Sequence, residues 1–145
     1  MLSASAAARI EWGDCDPAGI VFYPRYLEMF DARSSALIEL ALGMKKYAAQ
    51  RHYDFAGFPL VATRARFLLP TRFGDEVAIE TSITEVRRSS FEIEHRLLKG
   101  GELAVNGHET RVWVGPFTAE PGQFKALPIP PAVAERFRAP AGAPA

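Results

Sequence analysis

The 145-residue sequence contains a single cysteine, no long apolar run and no excess charge of either sign. One cysteine, Cys15, excludes an intrachain disulfide, and with three scattered histidines it leaves no zinc-ligand spacing. A reduced, cytoplasmic setting without a metal is therefore the default expectation. No stretch approaches the ~20 apolar residues of a membrane span, and the N-terminus MLSASAAARIEW has neither the basic region nor the apolar core of a signal peptide. No membrane partner is expected. Lys plus Arg equals Asp plus Glu at 17 each, so no global field draws the protein to nucleic acid, and an anionic ligand needs a local basic cluster. A GxSxG nucleophile elbow and a glycine-rich phosphate loop are also missing, which removes the usual serine-hydrolase and nucleotide-loop chemistries.

Hydrophobic residues make up 48% and charged residues 23%, an ordinary balance for a folded domain of this length. Residues 1–138 are expected to form a single domain and 139–145, rich in Ala and Pro, a flexible tail. Ala8, Ile10 and Trp12 alternate with Arg9 and Glu11, which predicts a short strand ending at Gly13. Tyr26, Met29, Phe30, Leu37, Leu40 and Ala41 recur at helical spacing, with Pro24 suited to the first turn and Gly43 to the C-terminal cap, so one long helix is predicted over 23–42. A shorter helical segment is expected over 44–51 and another over 132–137. Strands are predicted over 60–69, 76–86, 91–98 and 103–114, with Gly100-Gly101 as a two-residue hairpin. A strand, a long helix and four strands with mostly tight connections make an α+β protein, its helix packed on an antiparallel sheet.

The loop between the first strand and the long helix carries the chemistry. Asp14 and Asp16 flank Cys15 and precede Pro17, Ala18 and Gly19. Turn hydrogen bonding alone accounts for many such aspartates. Here, however, the helix that follows begins at Tyr23-Pro24 with no Ser, Thr, Asp or Asn to cap it, so its first backbone N–H groups lack an obvious side-chain partner. An uncapped helix start suits a carbonyl oxygen that becomes negative in a transition state. Cys15 has no histidine near it in sequence, and His52, His95 and His108 read as exposed or internally satisfied side chains.

The stretch DCDPAGIVFYPRY, with RIEWGDCD leading into it, closely resembles the active-site loop and helix start of the 4-hydroxybenzoyl-CoA thioesterase family, which has the hot-dog fold. The matching element order covers roughly residues 5 to 115. The resemblance implies a long central helix on a five-stranded antiparallel sheet and hydrolysis of an acyl-CoA without any separate cofactor. It implies Asp16 as nucleophile or general base and the Tyr23 backbone N–H as the group that polarises the thioester carbonyl. It also implies Asp31 as a contact for a ring hydroxyl, and the turn Arg87, Arg88, Ser89 and Ser90 as the coenzyme A site, where guanidinium forks and hydroxyls suit phosphate groups. A homodimer or homotetramer is expected, because such sheets pair between subunits. Pro24 stands where aliphatic-acyl relatives often carry histidine, which favours an aromatic acyl group, and Trp12, Phe22, Tyr23, Phe55 and Phe58 could line its pocket. Hydrolysis of a short aliphatic acyl-CoA and non-catalytic acyl-CoA binding are the alternatives.

Overall fold

The computed structural model describes residues 1–140. Its elements are β1 (Ser3–Arg9), a 3-10 turn (Trp12–Asp14), α1 (Pro24–Leu42), α2 (Lys46–His52), β2 (Leu60–Phe67), β3 (Glu76–Val86), β4 (Ser90–Lys99), β5 (Glu102–Val112), the two-residue strands β6 (Val114–Gly115) and β7 (Lys125–Ala126), and α3 (Pro131–Arg138). Five strands form one antiparallel sheet in the order β1-β3-β4-β5-β2, and α1 packs on it, which is the expected α+β hot-dog arrangement. Among the described residues no helix is long and apolar enough to cross a membrane. Of the expected tail, 141–145 lie outside the described residues.

The expected strand over Ala8–Trp12 is displaced. Pairing with β3 runs from Ser3 to Arg9, whereas Trp12 opens the 3-10 turn and is 77% exposed. The small side chains of SASAAAR carry little apolar signal, so the pattern marked the end of the strand and missed its body. Leu40 also departs from its expected place, lying exposed on α1, while Phe30, Leu37, Ile38 and Ala41 are buried. Gly43 ends the helix in the left-handed conformation at φ 71°, its N–H donating to the Glu39 carbonyl, a geometry that glycine adopts without penalty.

Alternation fixes the helix-facing side of the sheet: Val77, Ile79, Thr81 and Ile83 of β3, and Phe91, Ile93, His95 and Leu97 of β4, are all buried. Two apolar clusters result. One joins the C-terminal half of α1 to Ile83, Phe91, Ile93, Trp113 and α3; the other joins Tyr26 and Phe30 to Ile10, Val77, Ile79, Leu97 and Val105. The polar residues Thr81 and His95 fall between them, since each follows a residue of one cluster and precedes a residue of the other along its strand. Phe30 stacks flat on His95 with ring centroids 4.6 Å apart, directly above Gly107, where an added Cβ would sit 2.7 Å from the Phe30 ring. The missing side chain at Gly107 is what lets α1 lie this close to the sheet.

Candidate active site

The loop before α1 is tied together mainly by its own backbone. Cys15 and Val21 form an antiparallel bridge, the Asp16 N–H donates to the Ile20 carbonyl at 2.9 Å, and the Gly19 N–H donates to the Asp16 carbonyl at 2.9 Å. Gly19 takes φ 83°, so the tight turn needs glycine there. The two aspartates have different work. Asp14 Oδ2 accepts the Glu11 N–H at 2.9 Å and so closes the 3-10 turn. Asp16 Oδ1 accepts the Ala18 N–H at 2.8 Å, an Asx turn that orients the carboxylate, while Oδ2 has no hydrogen-bond partner among the described residues. Thr71 anchors the loop from behind, accepting the Val21 N–H through its carbonyl and hydrogen bonding to the Tyr26 hydroxyl through its own. Cys15 is half-buried, with its Sγ 3.7 Å from the Glu11 carbonyl oxygen.

Tyr23 is the N-cap of α1, in helical conformation, with no side-chain cap and with proline following it. The Arg25 N–H donates to the Phe22 carbonyl at 2.8 Å and the Tyr26 N–H to the Tyr23 carbonyl at 3.0 Å. Pro24 has no N–H, so the Tyr23 N–H is the donor at this helix end that has no partner among the described residues. A cavity of about 260 Å³ opens beside it, lined by Ile20, Tyr23, Tyr26, Phe67, Leu69 and Pro70 among others. A free carboxylate oxygen and a free N–H thus belong to one short loop and the helix it starts, next to apolar space.

Asp31 lies elsewhere. It is two turns further along α1, ~12 Å of helix rise from Tyr23, and lines a different cavity of about 310 Å³ with Ser35, Lys46, Phe58, Arg111 and Phe124. Its Oδ1 accepts from Arg111 Nη2 at 2.8 Å. Arg111 is 5% exposed, and its Nε donates to Glu109 Oε1 at 2.6 Å while its Nη1 donates to the Phe58 carbonyl at 3.2 Å. Glu109 in turn accepts from Ser34 Oγ at 2.9 Å and from His95 Nε2 at 2.6 Å, and Thr81 Oγ1 lies 2.9 Å from His95 Nδ1. The network fills the gap between the two apolar clusters, and among the described residues no buried side-chain polar atom is left without a partner.

Ser34, His95 and Glu109 have the composition of a catalytic triad but not its geometry. Both the serine and the acid sit on Nε2, Thr81 occupies the other nitrogen, and Ser34 and His95 are fully buried. The cluster is structural. Burial pushes the Glu109 carboxyl up, but the hydrogen bond and attraction of His95, with the charge and hydrogen bond of Arg111, outweigh it and hold the group below its ordinary value of 4.5. A carboxyl depressed by folding stabilises the fold above its unfolded pKa, and that contribution is lost as pH falls through the folded value. Thermal unfolding followed from pH 7 down to pH 3 is expected to show a falling Tm below about pH 4.5, with a shallower fall in Glu109→Gln. Parallel profiles would remove Glu109 from this role.

The basic turn is only partly free. Arg87 donates to Ser90 Oγ at 3.0 Å through Nε and lies 2.8 Å from Glu85 and 2.9 Å from Glu92 through Nη1. Its hydrogen bonds to the Glu92 and Glu85 carboxylates raise its pKa, and their negative charges offset its positive charge locally. Arg88 is exposed and has no carboxylate partner among the described residues; its Nη1 reaches only Ser89 Oγ, at 3.5 Å. The expected aromatic pocket is divided as well. Trp12, Phe22 and Tyr23 are exposed around the loop, while Phe55 and Phe58 are buried, Phe55 stacked on Trp113 at 4.0 Å and Phe58 forming a wall of the Asp31 cavity.

Arg111, Glu109, Thr81 and Ser34 were not singled out by the sequence. The available signal was the period of two along β5, which places Val105, Gly107, Glu109 and Arg111 on one side, a carboxylate and a guanidinium on an otherwise buried face.

Comparison with known proteins agrees with this architecture. The family model of the thioesterase-like superfamily matches residues 10–137. The 4-hydroxybenzoyl-CoA thioesterase of Pseudomonas sp. strain CBS-3 is 35% identical over 135 residues, 88% of this chain and 92% of that protein. A crystal structure of a 4-hydroxybenzoyl CoA thioesterase mutant complexed with 4-hydroxybenzoyl CoA superposes with a TM-score of 0.84 at 30% identity, covering 94% of this chain and 99% of the other. A gentisyl-coenzyme A thioesterase superposes with a TM-score of 0.77 at 34% identity, covering 92% and 99%. With the sheet order, the long helix and the loop before it all in place, the chain belongs to the thioesterase-like superfamily and is a thioester hydrolase of the hot-dog fold.

Proposed function

We propose that this acyl-CoA thioester hydrolase acts on ring-hydroxylated aroyl thioesters such as 4-hydroxybenzoyl-CoA, releasing the free acid and coenzyme A. The observation that carries the reading is that a free Asp16 carboxylate oxygen and an unpartnered Tyr23 N–H belong to the same loop and the helix start it leads into. The N–H donates to the thioester carbonyl oxygen and stabilises the negative charge that develops there. Asp16 either adds to the carbonyl carbon, giving an anhydride that water then opens, or takes a proton from water as it attacks. In both routes the C–S bond breaks, the thiolate leaves and is protonated, and one water is consumed. No cofactor beyond the substrate's own coenzyme A enters these steps. Arg88, Ser89 and Ser90 supply donors for the phosphates, and Arg87 joins them by exchanging a carboxylate partner for a phosphate.

Asp31 supports the ring-hydroxyl contact only if it comes from a second subunit. A benzoyl ring whose carbonyl rests on Tyr23 does not span the two helical turns to Asp31 of the same chain. Strand β2 is a sheet edge and almost wholly exposed, with Leu60, Val61 and Phe67 at 44%, 59% and 52%. A second copy that covers this edge in a homodimer, or a homotetramer built from it, would bring one chain's loop to the other's Asp31. Hydrolysis of a short aliphatic acyl-CoA is the second reading, favoured by the apolar lining of the cavity beside Tyr23.

Released thiol measured across 4-hydroxybenzoyl-CoA, benzoyl-CoA, phenylacetyl-CoA and short and long aliphatic acyl-CoAs tests the proposal. The hydroxylated aroyl substrate is expected to have the highest kcat/KM; the highest value for a short aliphatic substrate would transfer the assignment to the second reading.

A further inference from the structure

The geometry points to Arg111 as the residue that sets selectivity for a ring hydroxyl, by fixing Asp31 as a charged hydrogen-bond acceptor from beneath. This rests on the proposed contact between Asp31 and the ring hydroxyl. Asp31 is the outer end of a continuous polar chain: Thr81, His95, Glu109, Arg111, Asp31. The inner members are at most 5% exposed, whereas the Asp31 side chain is 65% exposed at the mouth of its cavity. An exposed aspartate on a helix face is ordinarily free to change rotamer. Here the guanidinium holds Oδ1, and its own position is set twice, by Glu109 on Nε and by the Phe58 carbonyl on Nη1. Oδ2 has no hydrogen-bond partner among the described residues, so one oxygen is fixed and the other remains for a ligand.

The planar fork is essential to this arrangement. Arg111 meets Glu109 and Asp31 through two different nitrogens of one rigid group, so the buried carboxylate orients the exposed one. Asp31 then accepts from a hydroxyl donor, whereas a ring without that hydroxyl leaves the aimed carboxylate without its partner, a mismatch that lowers its turnover. Arg111 touches no substrate atom in this scheme; it is a positioning residue for specificity.

The test is the ratio of kcat/KM for 4-hydroxybenzoyl-CoA over benzoyl-CoA in the wild type, Asp31→Ala, Arg111→Lys, Arg111→Met and the double variant Asp31→Ala/Arg111→Met. Arg111→Lys keeps a cation against Glu109 but has one ammonium in place of the fork, so it retains the fold if Arg111→Met does not. The wild type is expected to favour the hydroxylated substrate by ~10-fold or more. Asp31→Ala and Arg111→Lys are both expected to bring the ratio to within about 2-fold of unity, and adding Arg111→Met to Asp31→Ala should not lower it further, because residues that act through one contact are not additive. A collapse of overall activity with an unchanged ratio in Arg111→Lys would show a merely structural role and overturn the inference. If the ratio collapses in Asp31→Ala but not in Arg111→Lys, the hydroxyl contact survives and the inference alone fails. A wild type with no preference overturns the hydroxyl contact and the inference together.

Discussion

Asp16→Asn is expected to lower kcat for the preferred acyl-CoA by ~100-fold or more while KM stays close to that of the wild type. Asparagine is nearly isosteric, and its side-chain oxygen can still accept the Ala18 N–H that shapes the turn, so the loop should keep its form. What disappears is the second carboxylate oxygen, which Asp16 leaves unpaired and which alone can attack carbon or accept a proton there. The Tyr23 N–H and the proposed coenzyme A contacts are untouched, so binding should persist. Asp14→Asn is the useful contrast. Asp14 is already engaged with the Glu11 N–H, and its loss should affect stability more than chemistry. Steady-state release of thiol under identical conditions separates the two; equal losses in kcat would remove the distinction drawn between the two aspartates.

Glu109→Ala should be the most damaging single change to stability among the polar residues, at about 3–5 kcal/mol, the range for removing one partner of a buried ion pair. Glu109 accepts from Ser34, His95 and Arg111 at once, and its removal takes a shared acceptor from three buried donors, leaving Ser34 and His95 only each other and Thr81. Arg111 would keep only the Phe58 carbonyl and Asp31. Much of the cost comes from burying a guanidinium without its main counter-charge and not from the intrinsic strength of the pair. Urea unfolding monitored at Trp113, which sits in the adjoining apolar cluster, gives the measurement. A midpoint within the scatter of the wild type would mean that water or a rearranged Asp31 takes over, and that the network is not a keystone of the fold.

The long helix and the strands β2 to β5 were legible because their signals are local. Proline at the first turn, glycine at the last, the period of two in β3 and β4, and the Gly100-Gly101 hairpin each state a backbone preference that the packing did not override. The first strand was misplaced because its alanines and serines give no hydrophobic contrast, and its position comes from pairing with β3 across the sheet. The candidate loop was legible at the level of sequence because the absence of a cap is itself written in residues 22–24. The relation between Asp31 and the interior was not. It joins residues 31, 109 and 111 across a contact made only when α1 lies on the sheet, and no local pattern records that. Arg87 illustrates the same limit. A basic turn is visible in the sequence, but its engagement by Glu85 and Glu92 depends on the strand register that brings those two residues opposite each other.

Single-turnover hydrolysis of 4-hydroxybenzoyl-CoA with enzyme in excess, quenched on the millisecond scale, tests most directly whether the carboxylate at the start of α1 performs the chemistry. In the wild type, the bound thioester should be consumed in one fast phase, with free acid and thiol accounting for all of it at the end. Asp16→Asn should bind the same substrate yet consume it ~100-fold or more slowly. Equal single-turnover rates in the two proteins would contradict the account, because the bond would then be broken without Asp16.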